Sequence, residues 1–177
     1  MSTVFIDNKK IYWQDYGKGD PIILIAGLGS DSSSWLQIIV PLSKNYRVIV
    51  FDNIGVGRSD HDNEGISIGL MADCTRKLIA ELNLTKVSII GHSMGGMIAI
   101  DLAINYPEML NKLILVATSA KINKRNVYLF RDMVAYIKSG IKEELWIRYM
   151  FYWIFSPSFF ENTDLVDQAV SMALNYR

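Results

Sequence analysis

A single cysteine, Cys74, in 177 residues excludes an internal disulfide and any fold stapled by oxidation, so a reducing cytoplasm is the default expectation. An excess of one charge is missing too. Eighteen Lys and Arg balance 18 Asp and Glu, which argues against both a nucleic-acid-binding surface and an acidic disordered tail. No apolar run is long enough to span a bilayer, and residues 1–7 lack the charged start and apolar stretch of a secretion signal. Neither a membrane nor a nucleic acid is therefore an expected partner. Histidine is scarce: His61 and His92 are the only two, and with one cysteine they show no metal-ligand spacing. Gly27-Leu28-Gly29 and Gly55-Val56-Gly57 both lack the third glycine of a dinucleotide fingerprint, and no lysine completes a P-loop. No cofactor is expected.

What is present is a chain that is 50% hydrophobic, long enough for a sizeable core and free of repeats. Residues 3–6 and 10–16 read as an antiparallel hairpin turning at Asp7-Asn8. Residues 22–26 form an apolar, β-branched run, the pattern of a buried parallel strand, followed by the loop Gly27-Leu28-Gly29-Ser30. A short helix is predicted over residues 35–42, capped by Ser32, Ser33 or Ser34. A second buried strand, 47–52, leads into a glycine-containing loop, 53–60. Residues 67–82 place Leu70, Met71, Cys74, Leu78 and Leu82 on one helical face. Further strands are expected before Gly91 and over 112–117. Strands alternating with helices imply βαβ crossovers and a mostly parallel sheet flanked by helices. After Thr118 the composition changes. Helices are predicted over 126–138 and 143–155, and eight of the fifteen residues 146–160 are aromatic, a pattern read as helical packing rather than membrane contact. The expected organisation is residues 1–120 as an α/β core and 121–177 as a separate helical segment.

The chemistry is carried by Gly91-His92-Ser93-Met94-Gly95-Gly96, between a β-branched strand and a helical pattern that stops near Pro107. A bare G-x-S-x-G arises by chance in about one chain in twenty of this length. The strand before it, the helix after it and the extra Gly96 make it a nucleophile elbow, a turn so sharp that Ser93 must adopt a strained backbone. A serine attacking a carbonyl creates an oxyanion that needs preset N–H donors. Met94, directly after the nucleophile, and Leu28, held between two glycines, are the candidate donors. Gly27, Gly29 and His92 beside them are candidate substrate-binding residues.

Three stretches, 22–30, 51–60 and 91–96, resemble in order and spacing the α/β-hydrolase superfamily, specifically its small cap-bearing branch of esterases and lactonases. The resemblance covers the N-terminal two-thirds of the chain and implies an α/β-hydrolase core. It makes the segment after Thr118 the start of a cap. Ala26 stands where many members carry histidine, and Ile54 where many carry arginine. The larger departure is a missing base. The family order is serine, acid, histidine, and no histidine follows Ser93. His92 should point away from the hydroxyl, His61 sits in the wrong family position, and Asp164 and Asp167 have no strand to place them.

The expectation is thus a serine hydrolase of small esters, lactones or related carbonyl compounds whose acid and histidine lie outside this chain, the core stopping after the 112–117 strand. That strand's free edge should be covered by a complementary C-terminal fragment or a second copy. The alternative is a non-catalytic interaction or assembly module on the same scaffold. A lyase, acyltransferase or cofactor-free haloperoxidase stays open, whereas a haloalkane dehalogenase would carry a carboxylate in place of Ser93.

Overall fold

The structure is a computed structural model that describes residues 2–62 and 65–175. Its sheet has six strands: β1 (Ser2–Ile6), β2 (Lys9–Tyr16), β3 (Asp20–Ile25), β4 (Tyr46–Phe51), β5 (Val87–His92) and β6 (Leu110–Val116), in the order β1-β2-β4-β3-β5-β6. β1 and β2 are antiparallel to their neighbours, while β4, β3, β5 and β6 run parallel. The hairpin turns at Asp7 and Asn8, both at positive φ (49° and 63°), the conformation a two-residue turn needs to match strand twist. β6 forms one edge of the sheet, and its Ile114, Leu115 and Val116 remain 46%, 43% and 42% exposed.

Alternation along the central strands decides which layer each side chain enters. Ile23, Ile25, Ile49, Phe51 and Ile89 point to one face, where α2 (Ile68–Glu81) and α3 (Met94–Asn105) bury Leu78, Ile79, Ile98 and Leu102 against them. Ile22, Leu24, Val48 and Val50 point to the other face and meet Trp35 and Ile39, the latter on α1 (Leu36–Leu42). Because helices cover both faces, these strands read as continuous apolar runs rather than as alternating ones. Each fully buried Ile or Leu contributes about 1.5–3 kcal/mol of transfer free energy, which fixes the sheet's register.

Several elements differ in detail from the sequence expectation. The first helix opens with a 3-10 turn, Ser32–Trp35, whose cap is the Asp31 carboxylate receiving the Ser33 N–H, not one of the serines. An ionised acceptor forms a stronger cap than a hydroxyl. On α2 the buried face centres on Met71, Ala72, Cys74, Thr75, Leu78 and Ile79, and Leu70 and Leu82 lie half-buried at its ends. β6 stops at Val116 because Ala117 turns to φ 48°.

The chain divides into two compact units, Met1–Ala120 and Lys121–Arg177. The second holds α4 (Lys124–Lys138), α5 (Glu143–Ile154) and a further helix, α6 (Thr163–Asn175), which the sequence reading did not anticipate. Its start is marked by Asn162, whose side chain accepts the Leu165 N–H at 3.1 Å. Ile147, Phe151 and Val170 form this unit's small core, and Phe151, Phe155 and Phe159 pack ring on ring around it. Arg148 joins Glu144 and Asp167, at 2.9 and 2.7 Å.

One polar cluster ties the first unit together. Asp52, fully buried at the end of β4, accepts the N–H of Ser32 at 2.9 Å and both the N–H and Nε–H of Arg58, at 2.9 and 3.0 Å. The Arg58 guanidinium lies 3.6 Å over the Tyr12 ring, and Ser59 Oγ bridges the Tyr12 N–H and the Asp52 carbonyl. Burial pushes the Asp52 carboxyl up, but the hydrogen bonds from Arg58 and Ser32 outweigh it and hold the group below its ordinary value of 3.8. A depressed carboxyl stabilises the fold fully above its ordinary value, and that contribution disappears as pH falls through the folded-state value. Asp52→Asn should therefore lower stability at neutral pH by about 3 kcal/mol and flatten the acid limb of the stability profile, both read from urea unfolding across pH 3–7.

Candidate active site

The sharp turn after β5 comes from the close approach of three backbone segments. Ser93, between the last residue of β5 and the first of α3, has φ 53° and ψ −118°, a strained conformation for a non-glycine residue. A Cβ on Gly91 would meet the Gly95 carbonyl oxygen at 2.5 Å, and one on Gly95 would meet the Ile25 carbonyl oxygen at 2.0 Å. Any side chain at either position would drive the first turn of α3 off the ends of β3 and β5. At Gly96 the obstacle is the Thr118 side chain, 2.5 Å away. The motif's glycines are thus steric requirements of the turn.

This turn leaves Ser93 half-buried, and among the described residues its Oγ makes no hydrogen bond. The Ser93 N–H is held by the Val116 carbonyl at 2.9 Å. Gly27 packs against it: a Cβ there would lie 3.2 Å from Ser93 Cβ. From Gly27 the chain makes a β-turn closed by the Ser30 N–H on the Gly27 carbonyl at 3.2 Å, with Gly29 at φ 69° in the position that favours glycine. Leu28 occupies the tip, 56% exposed, and its N–H has no backbone acceptor among the described residues. The Met94 N–H, first in its helix, has no intrahelical acceptor either. Both residues line a cavity of about 510 Å³ whose walls are otherwise mostly apolar, with Ile54, Val56, Ile68 and Met71 among them. Ile54 is 3% exposed in the main core, which explains an aliphatic side chain in that loop.

The two histidines are placed differently. His92 is exposed and meets Trp35 edge to face at 6.4 Å between ring centroids. Its Nδ1 lies 3.3 Å from the Cβ position of Gly27, so the ring borders the glycine loop. His61 is exposed in the loop after β4. Among the described residues neither imidazole hydrogen-bonds Ser93. Cys74 offers no rival nucleophile, since burial pushes its thiol up to about 11. Asp167 is engaged with Arg148.

Two groups beside the site escaped the sequence reading. The Asp52–Arg58–Ser32 cluster fixes the loops after β3 and β4, and its signal was an aspartate ending a buried strand six residues before an arginine. Thr118 donates from Oγ1 to the Ser93 carbonyl at 2.7 Å, a contact that no local pattern announces.

Comparison with known proteins places this arrangement. The family described as alpha/beta hydrolase fold matches residues 20–141. The chain belongs to that family. It is 31% identical over 138 residues to a protein of Agrobacterium fabrum named as a carbamate hydrolase, RutD, covering 74% of this chain and 52% of that protein. The chain thus spans about half the length of this curated relative. Among solved structures, MGS-M2, an alpha/beta hydrolase enzyme from a Medee basin deep-sea metagenome library, superposes with a TM-score of 0.90 at 22% identity, over 97% of this chain and 64% of that one. A thermophilic esterase from Thermogutta terrifontis superposes with a TM-score of 0.77 at 28% identity, over 92% and 60% of the two chains.

The steric account of the turn is open to measurement. Gly95→Ala should lose at least about 2 kcal/mol by urea unfolding at unchanged m value, because the obstruction is backbone. Gly69→Ala in α2, where a Cβ meets nothing within 4 Å, should be neutral or gain up to about 1 kcal/mol.

Proposed function

We propose that this chain carries the nucleophile and oxyanion hole of a serine hydrolase acting on an ester, lactone or related carbonyl compound. The carrying observation is Ser93, strained at a strand-to-helix turn, its hydroxyl and the two neighbouring backbone N–H groups of Met94 and Leu28 all unengaged among the described residues. In this reading Ser93 Oγ attacks the carbonyl carbon and passes its proton to a base. The carbonyl oxygen takes the negative charge between the N–H groups of Met94 and Leu28. Collapse expels the alcohol, which takes a proton, and leaves an acyl group on Ser93; water then releases the acid and restores the hydroxyl. Two of the similar proteins are named for carbamate and ester hydrolysis, reactions in which a bond from a carbonyl carbon to its leaving group is cleaved. The aliphatic walls of the cavity beside Met94 favour an apolar portion of the substrate. Gly27, Gly29 and His92 border the bound carbonyl, and residues 121–177 are a cap-like helical segment.

The base and its orienting acid come from outside these 177 residues. Among the described residues neither histidine engages Ser93, and general-base assistance contributes about 10²–10⁴-fold to such a reaction. The exposed apolar edge of β6 is the place where a complementary polypeptide bringing both groups would pair.

A fluorophosphonate probe tests this reading. Ser93 should be phosphonylated slowly by the chain alone and at least about tenfold faster with free imidazole supplied as base. Ser93→Ala should abolish labelling in both conditions. Absence of Ser93 labelling with imidazole present would favour a non-catalytic binding module instead.

A further inference from the structure

The candidate nucleophile is held by more than its own turn. Both backbone groups of Ser93 are gripped by the end of β6: its N–H by the Val116 carbonyl at 2.9 Å, and its carbonyl by Thr118 Oγ1 at 2.7 Å. Thr118 reaches that carbonyl because Ala117 takes φ 48°, an uncommon conformation for alanine, which swings the chain back toward the turn as the strand ends. Space for the threonine is provided by Gly96, where a Cβ would collide with Thr118 Cγ2, Cβ and Oγ1 at 2.5, 2.6 and 2.7 Å. A positive-φ alanine, a hydroxyl and a missing side chain therefore converge on one carbonyl oxygen.

That carbonyl belongs to the same peptide group as the Met94 N–H. Peptide planarity makes the two point in opposite directions, so whatever fixes the Ser93 carbonyl also aims the Met94 N–H. A hydrogen bond accepted at the oxygen polarises the amide and strengthens its N–H as a donor. The Ser93 carbonyl receives the Gly96 N–H at 3.0 Å and the Met97 N–H at a longer 3.4 Å, so the threonine supplies its shortest contact. We infer that Thr118 is a positioning residue for the oxyanion hole, orienting and polarising the Ser93–Met94 peptide from behind. This rests on the proposed role of Met94 as an oxyanion donor.

The test uses Thr118→Val, which keeps the shape and removes the donor, and Thr118→Ser, which keeps the donor. Two readouts separate the inference from the reading beneath it. The ¹⁵N–¹H amide resonance of Met94 should shift in Thr118→Val and return toward the wild-type position in Thr118→Ser. The second-order rate constant for fluorophosphonate labelling of Ser93, with imidazole present, should fall about tenfold in Thr118→Val and stay within about twofold in Thr118→Ser, since losing an oxyanion donor outright costs about 10²–10³-fold. Should the valine variant fail to fold, Thr118→Ala takes its place with the same expectations. An unmoved Met94 resonance, or loss of labelling to the same extent in the serine variant, overturns the inference. A shifted resonance in a protein whose wild type never labels would keep the positioning role and remove the hydrolase reading.

Discussion

The constraint on which the first unit turns is the approach of one helix to two strand ends. The first turn of α3 lies so close to the end of β3 that a single methyl on Gly95 would sit 2.0 Å from the Ile25 carbonyl oxygen. The close fit requires glycine at 91 and 95, the Thr118 side chain requires it at 96, and Ser93 takes a backbone conformation that costs about 1–3 kcal/mol. Such strain persists only where the surroundings over-determine it. Here they do: β5 feeds the turn, α3 leaves it, Gly27 packs beside it, and the end of β6 holds both polar groups of the Ser93 backbone.

A second arrangement supports the rim on the other side. Residues 53–60, with Gly55 and Gly57 among them, are fastened from within by Asp52 through Arg58 and Ser32, and Arg58 in turn lies on Tyr12 of β2. The buried carboxylate is tolerable because every donor around it is fixed by backbone or by a delocalised guanidinium. Two of the cavity's walls, the loops carrying Leu28 and Ile54, are thereby set relative to each other through Asp52.

Much of this was legible in the sequence, for identifiable reasons. The buried strands announce themselves because helices on both faces leave no room for polar alternation along 22–26, 47–52 and 87–91. The elbow is legible because its steric demands fall on residues close in sequence. What local patterns cannot carry is contact between distant positions. The Thr118–Ser93 hydrogen bond joins residues 25 apart, and the Asp52–Ser32 bond residues 20 apart. The cap of the first helix was misassigned for a smaller reason: with Asp31 beside three serines, composition alone does not say which oxygen receives the Ser33 N–H. Helix α6 was legible in principle: Leu165, Val166, Ala169, Val170 and Ala173 recur at helical spacing with Asp167, Gln168 and Ser171 on the opposite face, and Asn162 marks the start.

The position of β6 carries a kinetic implication. Among the described residues, the hydrogen bonds that hold the Ser93 backbone from outside its own strand and helix come from Val116 and Thr118 at the far end of β6, reached after the chain has crossed over from α3. Loop closure of this kind is slow relative to local helix formation. A nascent chain released before residue 118 would hold the glycine-rich turn in sequence but not in shape, leaving the serine an ordinary hydroxyl on a fluctuating bend. The shape of the turn is therefore coupled to completion of the sheet, and a loosened β6 would release the Ser93 N–H and carbonyl together.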